Sequence, residues 1–177
     1  LVAYASVSGS TGEVAGAIGQ VLEEADVSVL VSAVAEIDAV SQFDAVVLGS
    51  SIRAGKWLPE AFRFLEAQQD SLSQMPVAYF TTCLTLVDRS EESVRTVLVY
   101  MDHVLQAAPN VTPVGLGLFA GSLDPGRTAL STLRADLAPQ GDYRDWEAIR
   151  AWAREVRPLL LAGDTAPGFR IRLAHKD

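Results

Sequence analysis

One cysteine, Cys83, in a chain of 177 residues leaves no pair for an internal disulfide and no cysteine cluster for zinc. Basic residues are scarce: 14 Lys and Arg stand against 22 Asp and Glu, a net charge of -8. Phosphate-backbone binding relies on clustered Lys and Arg, so no nucleic-acid partner is expected. No apolar run reaches the ~20 residues a membrane helix needs, and no integral membrane segment is expected. The two histidines are His103, inside a predicted helix, and His175, in the tail, so no metal site is expected. Residues 1–5 already read as a strand, which leaves no signal peptide in view. No Ser/His/Asp set and no carboxylate pair stands out for hydrolysis.

What is present is a soluble globular composition, 49% hydrophobic and 20% charged, at a length suited to one domain. Apolar runs alternate with amphipathic ones. Leu1–Ser6, Val27–Val34, Phe43–Ser51, Pro76–Thr82 and Val114–Ala120 read as strands. Gly12–Ala25, Leu58–Leu72 and Ser90–Ala107 read as helices, as does the stretch after Asp145, with Glu36–Gln42 a short helical turn. Ser90 and Asp145 are predicted N-caps. Five strand–helix alternations predict a parallel sheet covered on both faces, a three-layer α/β/α sandwich of order 2-1-3-4-5. Residues 1–162 form the predicted domain, and 163–177 an exposed tail.

In such sheets a ligand lies beyond the carboxyl ends of the strands. Three segments would meet there: Ser6–Thr11, Ser50–Trp57 and Thr81–Asp88. The first, "SVSGST", has four hydroxyls and Gly9 at the mouth of a helix. Its free N–H groups and the helix dipole form an anion site without any Lys or Arg. An ordinary strand-to-helix turn with a Ser or Thr cap would use similar residues. "GSSIRAGKW" approaches a Walker phosphate loop, but Gly49 is one residue too early and Trp57 replaces the magnesium-binding hydroxyl. A dinucleotide fingerprint needs a different glycine spacing from that of Gly9, Gly12 and Gly16.

Ser6-Val7-Ser8-Gly9-Ser10-Thr11 resembles the FMN-phosphate loop of flavodoxins. Ser51-Ile52-Arg53-Ala54-Gly55 after strand three, and "DWEAIRAWAREV" near the end, resemble the menaquinone-dependent protoporphyrinogen dehydrogenase branch of that superfamily. Where that branch carries a long basic and aromatic insertion, this chain has "DPGRTALSTLRADLAPQGDYRDW", short and mixed in charge.

The resemblance implies FMN, with its phosphate held by Ser6, Val7, Ser8, Gly9, Ser10 and Thr11. The ring would lie between Ser50, Ser51, Ile52, Arg53, Ala54 and Gly55 on one side and Thr81, Thr82, Cys83, Leu84 and Thr85 on the other. Arg53, the expected catalytic residue, would favour anionic reduced flavin. Trp57 is expected either to cover the ring or to be an exposed aromatic at the helix start, packing on a neighbour. The implied activity passes electrons from a small-molecule reductant to a quinone-type acceptor. A carrier serving redox protein partners, aided by the acidic surface, is the second expectation; a fold that has lost its flavin is the third. The implied location is cytoplasmic, with peripheral membrane contact as the nearest variant.

Overall fold

The computed structural model describes residues 1–24, 27–123 and 140–162. The predicted tail and most of the short segment before the last helix lie outside these residues.

Strand β1 (Val2–Ala5) leads into helix α1 (Ser10–Glu23), and β2 (Val31–Ala33) follows. Then come β3 (Val46–Arg53), β4 (Lys56–Trp57), α2 (Pro59–Leu72), β5 (Val77–Cys83) and α3 (Glu91–Ala107). Strand β6 (Gly115–Ala120), the short β7 (Ser122–Leu123) and β8 (Gly141–Asp142), and α4 (Trp146–Leu161) complete the described chain. The parallel sheet runs β2-β1-β3-β5-β6, which in the count of main strands is the predicted 2-1-3-4-5. Two additions were not predicted: β4 pairs antiparallel with β3, and β7 with β8.

Each central strand is apolar on both faces because helices cover both. Ala3, Leu48 and Tyr79 pack with Leu65 of α2 and Met101 of α3. Val2, Val47 and Phe80 pack with Ile18 of α1 and Trp152 of α4 on the other side. The caps act as predicted: Ser90 Oγ accepts from Ser93 N at 3.1 Å, and Asp145 Oδ1 from Ala148 N at 3.0 Å.

Boundaries move where tertiary contacts rule. Strand β2 shrinks to Val31–Ala33, since among the described residues it is an edge strand paired with Val2–Tyr4 of β1 alone. The helical turn predicted at Glu36–Gln42 is instead a 3-10 turn at Val34–Glu36. The chain beyond it is held by α2, whose Gln68 donates to the Asp38 carbonyl and accepts from Val40 N.

Candidate functional site

Ala5 pairs in register with Ser50, Ser51 with Thr82, and Cys83 with Ala120. The segments after these strands therefore leave the sheet at one carboxyl edge. A cavity of about 510 Å³ opens at the opposite edge, lined by Leu30, Phe43, Arg157 and Leu161 among others, and takes no part in this cluster.

Residues 6–9 turn β1 into α1. Ser6 Oγ accepts from Gly9 N at 3.0 Å, and Gly9 holds the N-cap in a left-handed conformation, φ +86°. Glycine adopts this without the Cβ penalty. A Cβ built there would meet nothing within 4 Å, so the space over Gly9 is open. No side chain caps α1, and its first backbone bond runs from Glu13 N to Gly9 O. The N–H groups of Ser10, Thr11 and Gly12 precede that bond and face out of the helix end. The hydroxyls of Ser8 and Ser10 lie 3.4 Å apart. Backbone dipoles and hydroxyls thus gather at an open helix end, the chemistry an anion site uses.

Thr11 behaves differently from its neighbours. It is fully buried, and its Oγ1 lies 2.8 Å from Thr82 Oγ1 on β5. The pair ties α1 to the sheet. Thr82→Val is expected to lower stability by about 1–3 kcal/mol, because the Thr11 hydroxyl would stay buried without its partner. Adding Thr11→Val should recover much of that loss, as urea unfolding will show.

Ser50 and Thr81 are likewise turned inward. Thr81 Oγ1 donates to the Ser50 carbonyl at 3.0 Å, and Ser50 Oγ accepts from Leu58 N at 3.0 Å. These hydroxyls fasten β3 to β5 and to the start of α2. Cys83 is buried at the end of β5, and its Sγ accepts from Thr85 N at the opening of the Leu84–Val87 turn.

Strand β3 extends two residues beyond the predicted Ser51 because it folds back on β4. Arg53 pairs with Lys56, and between them Ala54 has φ +48° and Gly55 φ +74°. Positive φ at both central positions is the type I′ hairpin turn. Ala54 accepts this at a cost of about 1 kcal/mol. The Tyr100 ring of α3 lies against the turn, since a Cβ on Gly55 would come within 3.0 Å of it. Arg53 is exposed beside this turn, with no ion-pair partner among the described residues.

Trp57 corrects the sequence reading. It neither covers an open site nor stands exposed: it is 2% exposed and packs edge-on against Tyr79, ring centroids 5.6 Å apart. The hairpin is the cause. Pairing with Ile52 brings Trp57 back over the sheet, on the face covered by α2 and α3.

Sequence reasoning also missed Arg144, which arrives from just beyond β8. Its side chain is 7% exposed, with Nη1 2.7 Å from Glu13 and 3.2 Å from the Ser10 carbonyl. Nη2 and Nε bond Asp142 at 2.6 and 2.7 Å, and the guanidinium lies 4.5 Å over the Trp146 ring. Arg144 holds the Asp142 carboxyl below the usual carboxylate range, chiefly by these hydrogen bonds. No local pattern announces the cluster, because Glu13 and Arg144 are far apart in the chain.

A family model for the Flavodoxin domain matches residues 1–130. The chain belongs to the flavodoxin domain family. This flavodoxin domain is 27% identical over 139 residues to a protein named protoporphyrinogen IX dehydrogenase [quinone] from Leishmania major, covering 72% of this chain and 59% of that protein. It thus spans about three fifths of that relative's length. Among solved structures it is similar to a flavodoxin from the domain Archaea, with TM-score 0.53 and 21% identity over 90% of this chain and 96% of that one. An NADH:FMN oxidoreductase in its apo form gives TM-score 0.56 and 15% identity over 99% and 95%. These structural likenesses show the fold.

FMN is the cofactor of this flavodoxin domain. The residues present suit it. The open cradle at Gly9 would take a phosphate, and the hairpin and the β5 end border the edge from which it opens.

Proposed function

We propose that this flavodoxin domain is an FMN-dependent oxidoreductase that takes electrons from a small-molecule reductant and delivers them to a quinone-type acceptor. The carrying observation is Arg53, an exposed cation without an ion-pair partner among the described residues, at the hairpin turn on the carboxyl edge of the sheet. The Leishmania relative's name, a quinone-linked dehydrogenase, supports the acceptor class and makes protoporphyrinogen the first donor to test.

In this reading Ser6, Val7, Ser8, Gly9, Ser10 and Thr11 form the phosphate loop, with backbone N–H groups as the principal donors. Ser8 and Ser10 add hydroxyls, while Thr11 acts through its backbone because its side chain is bonded to Thr82. Residues Ser50–Gly55 flank one side of the ring and Thr81–Thr85 the other. Ser50 and Thr81 shape their segments from within. Bound FMN supplies the capacity to accept and release two electrons. Arg53 supplies positive charge where reduced flavin gathers negative charge, and so favours complete reduction.

The test is reductive titration of the FMN-loaded protein, followed by reoxidation with quinone analogues. Bleaching in one two-electron step and rapid reoxidation are expected. Two well-separated one-electron steps without quinone turnover would instead make the protein a carrier between redox protein partners. Arg53→Leu should lower the second midpoint potential by roughly 40 mV, the equivalent of about 1 kcal/mol for a solvent-screened charge. An unchanged potential would remove Arg53 from the catalytic role.

A further inference from the structure

The phosphate loop contains no Lys or Arg, yet Glu13 stands on the first turn of α1. A carboxylate there suits the helix dipole, but it also uses the same positive field that a bound dianion needs. An uncompensated Glu13 would oppose the phosphate. The structure supplies the compensation from the far end of the chain: the Arg144 guanidinium bonds Glu13 Oε2 at 2.7 Å and the Ser10 carbonyl at 3.2 Å.

Arg144 is prepared for this position. Its side chain is 7% exposed, gripped by Asp142 through Nε and Nη2, and stacked over Trp146. Both Arg144 Nη1 contacts are made to the first turn of α1, one to a carbonyl and one to a carboxylate. The arrangement sets a shared positive charge beside Glu13, which offsets part of its field, and restrains the first turn of α1. Arg144 donates to these groups and not to the ligand itself.

We infer that Arg144 is a positioning residue for phosphate selectivity, masking Glu13 so that the cation-free loop can accept a dianionic phosphate monoester. The inference rests on the FMN reading above. It makes the stretch after β8 part of the cofactor site, although this stretch lies beyond the segment matched by the family model.

The test compares dissociation constants for FMN and riboflavin by flavin fluorescence quenching in wild type, Arg144→Gln, Arg144→Lys, Glu13→Gln and the double variant Arg144→Gln/Glu13→Gln. Arg144→Gln should weaken FMN roughly fivefold, the scale of a partly exposed ion pair, and leave riboflavin within about twofold. Arg144→Lys should retain most of the selectivity, because the charge opposite Glu13 survives. The double variant should recover much of the FMN binding, since Glu13 then carries no charge to mask and only the Asp142 carboxylate loses its partner. Glu13→Gln alone, which leaves Arg144 bonded to Asp142, should tighten FMN. It tests the idea even if Arg144→Gln folds poorly. Equal weakening of both flavins, or further loss in the double variant, would make Arg144 a purely structural clamp and overturn the inference. A wild type that binds FMN selectively while Arg144→Gln changes nothing overturns the inference alone. A wild type that does not distinguish the flavins overturns the FMN reading and this inference together.

Discussion

The protein should bind FMN about a hundredfold more tightly than riboflavin, and Gly9→Val should abolish most of that difference. Two or more charge-assisted hydrogen bonds from the α1 end to a phosphate, each contributing about 1.5–3 kcal/mol, support a discrimination of that size. Gly9 is the sensitive position for two reasons. Its φ of +86° is one that a β-branched residue resists, at about 1–3 kcal/mol. A Cβ there also projects into open space, with nothing within 4 Å of it, so a larger side chain would intrude on the proposed cradle. Gly9→Asn separates the two causes, since asparagine tolerates left-handed backbone. It should keep more FMN affinity than Gly9→Val. Fluorescence titration with both flavins measures all of this. Equal affinity of wild type for FMN and riboflavin would remove the phosphate from the loop.

Trp57→Ala should lower stability by about 3–5 kcal/mol, the usual cost of emptying a large aromatic site in a core. The indole is 2% exposed and packs against Tyr79 and Phe62. Trp57→Phe should cost far less, about 1.5 kcal/mol at most. It keeps much of the packing and removes Nε1, a buried donor with no hydrogen-bond partner among the described residues. Tyr79→Phe should be neutral or stabilising for the same reason, because the Tyr79 hydroxyl is also unpartnered there. Burial pushes the Tyr79 phenol upward in pKa. Its titration therefore leaves stability unchanged below the unfolded tyrosine pKa, near 10, and lowers it as pH rises beyond that, a loss Tyr79→Phe should remove. Urea unfolding of the variants at neutral and alkaline pH checks both points. A Trp57→Ala protein of unchanged stability but weakened FMN binding would return Trp57 to the cofactor site.

Two corrections show where sequence reasoning stops. Trp57 follows a glycine-containing turn in a small-residue segment, and nothing local distinguishes a loop that holds a ligand from a hairpin that carries its aromatic back to the core. Positive φ at Ala54 made the difference, and alanine gives no warning of it. Thr11 matches the phosphate-loop pattern as well as Ser8 does. The motif singles out the segment, but only the position of Thr82 decides which hydroxyl turns inward.

The order of strands and helices, and the edge at which the three small-residue segments gather, were legible in the sequence alone. Both follow from short-range chemistry: apolar runs of strand length, helical periodicity between them, and the handedness of parallel crossovers. The proposed phosphate loop could be named from the sequence for the same reason, since its hydroxyls, glycine and helix start are contiguous. The tertiary structure decided what depends on residues distant in the chain. It directed the Thr11 hydroxyl to Thr82, carried Trp57 into the core through pairing with Ile52, and placed Arg144 against Glu13. Each outcome is a partnership between groups that periodicity cannot connect, because burial and charge pairing act on distance in space and not on separation along the chain.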